Sequence, residues 1–136
     1  MSKILKPYVN YFVRLQIFGN IPDLNVISKK LGVLPTRTHF KKDRPTRVSK
    51  PYGYDAWIFR APVSDHEAFE KHLRSLHGVF QRKTRQLKEL AAKYDVSFYC
   101  SYHSNYDRGD LEFPPEIVAW CAKIGIPIRV SILVQD

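Results

Sequence analysis

Residues 8–18, Tyr-Val-Asn-Tyr-Phe-Val-Arg-Leu-Gln-Ile-Phe, alternate with a period of two. Val9, Tyr11, Val13, Leu15 and Ile17 fall on one face, and Asn10, Arg14 and Gln16 fall on the other with Phe12 and Phe18. Alternation rich in β-branched and aromatic residues predicts a strand with one buried face. Such a face must be covered. The rest of the chain supplies helices with matching apolar stripes.

Gly19-Asn20 ends the strand, and Asp23 is placed to cap a helix. Leu24, Ile27 and Leu31 have helical spacing, Gly32 suits the left-handed position after the last turn, and Pro35 blocks continuation. This helix is only about two and a half turns long, so packing must hold it. Residues 54–60 predict a second strand, stopped by Pro62. Ser64-Asp-His-Glu67 has the pattern of a capping box before a stripe at Phe69, Leu73, Leu76 and Phe80. The stripe continues through Leu87, Leu90, Ala91 and Tyr94, which predicts two helices or one broken near Gly78. Residues 96–103 alternate again, with Val96, Phe98, Cys100 and Tyr102 on one face. A polar turn at 104–110 leads to a short expected strand at Leu111–Phe113. Pro114-Pro115 opens a helix whose stripe is Ile117, Val118, Trp120, Cys121 and Ile124, and Gly125 ends it. Ile126, Ile128, Val130, Ile132 and Val134 alternate as a last strand buried on at least one side.

The expected order is β-α-β-α-α-β-(β)-α-β. It indicates an α+β single domain spanning 1–136, with a mostly antiparallel sheet and helices packed on one face. Trp57 and the alternating faces of 8–18, 96–103 and 126–134 are the expected core. Lys30-Leu-Gly-Val-Leu-Pro35 is echoed by Lys123-Ile-Gly-Ile-Pro127, each after a strand and a proline-led helix, which raises two related β-α-β halves. Helix stops of this kind are also common punctuation.

A chain of 136 residues suits one domain that needs no staples. Asn10, Arg14 and Gln16 interrupt any signal-like apolar run near the start. No stretch reaches the roughly 18–20 apolar residues of a membrane span. Two cysteines make no disulfide framework, so a reduced, cytoplasmic setting is expected. The formal charge is +9, and it is uneven: residues 94–136 hold only three cations against six acids.

The densest charge lies between Arg37 and Lys50. Arg37, Lys41, Lys42, Arg44, Arg47 and Lys50 face a single acid, Asp43, so this stretch carries over half the formal charge of the chain. It is expected to be an exposed loop. His39, Phe40, Tyr52 and Tyr54 interleave aromatics with the cations. A second basic surface is expected from Arg82, Lys83, Arg85 and Lys88 with Lys93, where Glu89 is spaced to pair with Arg85.

Several of these residues, in order, resemble a bacterial family catalogued as domain of unknown function 4279. Phe18-Gly19 matches its first turn, Leu31-Gly32-Val33 its first helix stop, and Pro35-Thr36 the proline-threonine that follows, with Leu34 standing between. Lys41-Lys42-Asp43 falls where the family has a Lys-Gly-Asp-like triplet, so Lys42 replaces a glycine. Trp57, the spaced leucines Leu73, Leu76, Leu87 and Leu90, and the closing Ile124-Gly125-Ile126 complete the pattern. The resemblance covers nearly the whole chain. It implies a compact α+β domain, no catalytic residues and no cofactor.

The residues themselves give no sign of an enzyme. The cysteines are 21 positions apart, and His66, His72 and His77 are six and five apart, which does not align ligands on one helix face. Cys100 and Cys121 sit among apolar neighbours and read as core. No nucleophile elbow, Ser-x-x-Lys or phosphate-cradling glycine loop occurs. Asp107, Asp110 and Glu112 read as solvated turn charge, and Arg108-Gly109-Asp110 as a polar turn. The expected function is therefore binding. The leading expectation is an acidic protein partner for a module such as a toxin-neutralising, immunity-type protein, with Phe40, Tyr52 and Tyr54 as anchors. The alternative is nucleic acid held by loop 37–50 and helix 82–93.

Overall fold

The computed structural model describes residues 6–106 and 109–135. One five-stranded sheet organises them. The strands are β1 (Val9–Gly19), β2 (Arg37–His39), β3 (Asp55–Arg60), β4 (Asp95–Ser104) and β5 (Ile128–Val134), in the spatial order β2-β3-β1-β4-β5. All neighbouring pairs are antiparallel except β4 and β5, which are parallel. The helices are α1 (Leu24–Leu31), α2 (Phe69–Phe80), α3 (Thr84–Ala91) and α4 (Pro115–Ile124).

Alternation decides which face of the sheet is covered. Val13, Leu15 and Ile17 of β1 sit opposite Cys100, Phe98 and Val96 of β4, and Leu15 and Ile17 also sit opposite Phe59 and Trp57 of β3. Leu24, Ile27 and Leu31 of α1 join that row in one buried cluster, as do Phe69, Leu73, Leu76 and Phe80 of α2. Leu87 and Leu90 of α3 complete it with Ile117, Trp120, Cys121 and Ile124 of α4. The α+β class, the mostly antiparallel sheet and the one-sided helix layer are therefore as the residue pattern indicates.

The helix boundaries follow local chemistry. The Asp23 carboxylate accepts the Asn25 amide at 2.9 Å and starts α1. Gly32 and Gly125 end α1 and α4 in the left-handed conformation, at φ 71° and 83°, where a side chain would be strained. The start of α2 departs from expectation. No capping box forms: the Glu67 amide meets the backbone carbonyl of Ser64, the helix begins only at Phe69, and Glu67 pairs with Lys71 instead. The break between α2 and α3 falls at 81–83, past Gly78, because the residues around Gly78 continue the stripe that packs on the sheet. Glu89 reaches across to Lys30 of α1 at 2.5 Å, not along its own helix to Arg85.

Three further expectations are corrected. Residues 111–113 form no strand; Leu111 and Phe113 pack on the core as irregular chain before α4. Residues 37–39, read as loop, pair with β3 as β2. The last strand is not a core strand. Ile126 is buried and Ile128 partly so, but Val130, Ile132 and Val134 are exposed because β5 is the sheet edge. Asp107 and Arg108 lie outside the described residues.

The sequence echo has a limited counterpart. β4-α4-β5 is a strand, a helix and an adjacent parallel strand. β1-α1-β2 has the same order and direction, but β3 lies between its strands. Among the described residues no helix is long and apolar enough to cross a membrane.

Candidate functional site

The cationic segment leaves β2 at the sheet edge and returns into β3. One buried carboxylate ties it to the turn after β1. Asp55, at the first position of β3, accepts the Ile21 amide at 2.8 Å through one oxygen and the Lys41 amide at 2.8 Å through the other. Burial alone pushes the Asp55 carboxyl up. The two amides, with the charge of Lys41, outweigh it and hold the pKa below its ordinary value. Hydrogen bonds to an ionised, buried acceptor are among the stronger ones in a protein.

The loop is also folded on itself. Asp43 accepts the Phe40 amide at 2.8 Å through its side chain and returns its own amide to the Phe40 carbonyl at 2.9 Å. Tyr52 and Gly53 donate backbone bonds to Asp43 and Lys41. Lys42 occupies this turn. No described non-glycine residue has a positive φ, so the turn closes without the freedom a glycine gives. Arg44 reaches the Ser49 carbonyl at 3.4 Å across the loop tip.

Arg37, Lys41, Lys42, Arg44, Arg47 and Lys50 are all exposed, as the sequence predicts, and among the described residues none of them has an ion-pair partner. The aromatics divide. Phe40 and Tyr54 are exposed and Tyr52 is half-buried. His39 is buried, at 7% exposure, which corrects its expected place on the contact surface. Its ring stacks on Tyr52 at 3.6 Å between centroids and 11° between planes, with Tyr54 edge-on at 5.2 Å. Burial first, then the Arg37 charge, lowers the His39 pKa, so the ring is neutral at pH 7. His39 acts from below, holding Tyr52, whose hydroxyl accepts from Arg37 at 3.0 Å.

Sequence reasoning missed two features of this edge. Val48 and Leu34 stand 95% and 80% exposed beside the cations. A hollow of about 260 Å³ lies between the start of α1 and β2, lined by Pro22, Leu24, Pro35 and Phe40 among others. Proline and leucine spacing carries no signal for a cavity formed by packing two elements.

The second basic surface does not join the first. Arg82, Arg85 and Lys88 are exposed and Lys83 is half-buried, on and just before α3 in the helix layer. Among the described residues no hydrogen bond or ion pair links them to the loop. Cys100 and Cys121 are core residues; burial pushes their thiols up to about 12 and about 11, so both are protonated at pH 7. His72 is fully buried, with its Nε2 3.2 Å from the Glu67 carbonyl. Among the described residues no three metal-ligating side chains converge.

A family model for domain of unknown function 4279 matches residues 9–135. The chain belongs to that family. No curated protein and no solved structure matches it. The match to this family runs from the start of β1 to the end of β5, so the Asp55-tethered edge is part of the family's domain and not an appendage to it.

Proposed function

We propose that this protein of the domain of unknown function 4279 family acts in the bacterial cytoplasm by binding, not by catalysis, and that its partner is a protein with an acidic surface. The observation that carries the reading is the combination at the β2 edge. Six exposed cations without ion-pair partners among the described residues sit on a segment that Asp55 ties, through Lys41, to the start of β3 and to the turn after β1. Unpaired surface charge steers an oppositely charged partner and sets its register. A tethered backbone loses less entropy on docking than a mobile one.

Charge gives rate and orientation; apolar anchors give most of the affinity. Phe40 and Val48 offer such anchors, and the hollow beside Phe40 offers a socket for one from the partner. A toxin-neutralising protein requires no more than a rigid complementary surface, which is why that role fits this edge.

Capture from native lysate tests the reading, with wild type compared against a Lys41→Glu, Lys42→Glu, Arg44→Glu variant. Wild type is expected to retain an acidic protein that the variant loses. Identical retained proteins would remove the loop from the interface, and retention of nucleic acid alone would replace the protein partner with a polyanion.

A further inference from the structure

The open face of the sheet carries a cost that its fold does not explain. Arg60, Arg14, Tyr99 and Arg129 are direct cross-strand neighbours running over β3, β1, β4 and β5. Like charges placed directly opposite, as Arg14 and Arg60 are, destabilise a sheet. The outer two arginines are neutralised, Arg60 by Asp65 and Arg129 by Asp95 at 3.2 Å. Arg14 and Arg37 have no acid partner among the described residues: Arg14 donates to the Gln16 side chain at 3.0 Å and Arg37 to the Tyr52 hydroxyl.

Arg14, Arg37 and Arg60 line one hollow of about 150 Å³ with Phe12, Thr36 and Ile58. Two of the guanidinium groups are held in place by aromatic rings: Arg14 lies 4.7 Å over Tyr99 and Arg60 lies 4.6 Å over Phe12. Burial, and then the charges of Arg37 and Arg60, lower the Arg14 pKa, although the group stays charged. The Thr36 hydroxyl accepts the Arg60 amide at 2.9 Å and retains its hydrogen to donate.

We propose that this hollow is a phosphomonoester site, taking the terminal phosphoryl group of a small phosphorylated ligand. Arginine forks match phosphate oxygens bidentately. A phosphomonoester carries about −1.5 to −2 at pH 7, which matches the two arginines left without an acid. A stacked nucleobase fits less well, because guanidinium groups already cover the faces of Phe12 and Tyr99. The hollow shares Arg37 with the acidic-partner surface but not Lys41, Lys42 or Arg44, so either reading can fail without the other.

Calorimetric titration at low salt tests it with three probes: inorganic phosphate, a nucleoside 5′-monophosphate and a single-stranded oligonucleotide without terminal phosphate. Saturable binding of a monoester is expected, weakened about tenfold or more in Arg14→Gln and far less in Lys41→Glu, Lys42→Glu, Arg44→Glu, which acts only through the long-range field. If inorganic phosphate binds as well as the nucleotide, the phosphoryl group alone is recognised; tighter nucleotide binding means that the remainder of the ligand contributes. Should Arg14→Gln fail to fold by circular dichroism, the exposed Arg37→Gln takes its place with the same expected loss. Absence of monoester binding by wild type, or equal affinity in the arginine variants, overturns the proposal. Arg14-dependent binding of the unphosphorylated oligonucleotide as tight as that of the nucleotide overturns it as well, in favour of a phosphodiester track.

Discussion

β1 and β5 carry nearly the same message in sequence and meet opposite fates. Each alternates a full row of aliphatic side chains. Val13, Leu15 and Ile17 of β1 are completely buried, whereas Val130, Ile132 and Val134 of β5 are exposed. The difference is position. β1 lies between β3 and β4 with helices across its apolar face, and β5 is an edge strand whose cover ends near Ile128. Alternation reports which face of a strand is apolar; it does not report whether a neighbour and a helix stand over it.

Substitutions in the two strands should differ accordingly. The largest effect is expected at Ile17→Ala, a loss of about 2–5 kcal/mol in urea unfolding, because the deleted atoms leave a cavity among close-packed neighbours. A loss below about 1 kcal/mol would mean that β1 is not the packed centre. Next comes Asp55→Asn, in β3 beside the edge strand opposite β5. The charge-assisted bonds to Ile21 and Lys41 weaken, with an expected loss of about 1.5–3 kcal/mol and faster hydrogen exchange at those two amides. Unchanged exchange there would show that the loop holds itself without Asp55.

Acidity separates the same regions. Burial lowers the His72 pKa first and foremost, and His39 is lowered likewise. Both rings are neutral in the fold, so their contribution is complete above the unfolded value of 6.5 and is lost as pH falls below it toward the folded values. Asp55, held ionised, contributes fully above 3.8 and loses that contribution as pH falls through its lower folded value. Urea midpoints measured from pH 8 to pH 3 should therefore decline in two stages. His72→Phe should flatten the upper stage and leave the lower one, and a midpoint that rises on acidification to pH 5 would contradict the assignment. The smallest effect is expected at Ile132→Ala, within about 0.5 kcal/mol, since the side chain is already 66% exposed. A core-sized loss at Ile132 would reveal cover over β5 that the described residues do not provide.

Much of the fold is legible in the residues because local signals agree with the global arrangement. Asp23 caps, Gly32 and Gly125 stop, and the stripes of α2, α3 and α4 all meet the apolar row of β1. The failures have a common cause. Ser64 and Glu67 have the spacing of a capping box, but backbone and ion-pair alternatives take both residues before the helix starts. Arg37 to His39 are three residues, too short for alternation to register, and β3 recruits them as a strand. His39 looked like a surface aromatic because neighbouring cations mark exposure; the stack on Tyr52 that buries it joins residues thirteen positions apart. Asp55 was invisible for the same reason, since its partners Ile21 and Lys41 lie far off in sequence. The cations of the candidate site were legible; the tether that makes them a surface was not.

The central claim is that this tethered edge, and not the basic surface of α3, meets an acidic protein partner. Association rates with the captured partner, measured as ionic strength rises, test it most directly. The wild-type rate is expected to fall with salt, the low-salt rate to drop about tenfold or more in Lys41→Glu, Lys42→Glu, Arg44→Glu, and no comparable change to follow from Arg82→Glu, Arg85→Glu, Lys88→Glu. Equal rates for wild type and the loop variant, or the larger loss in the α3 variant, would contradict it.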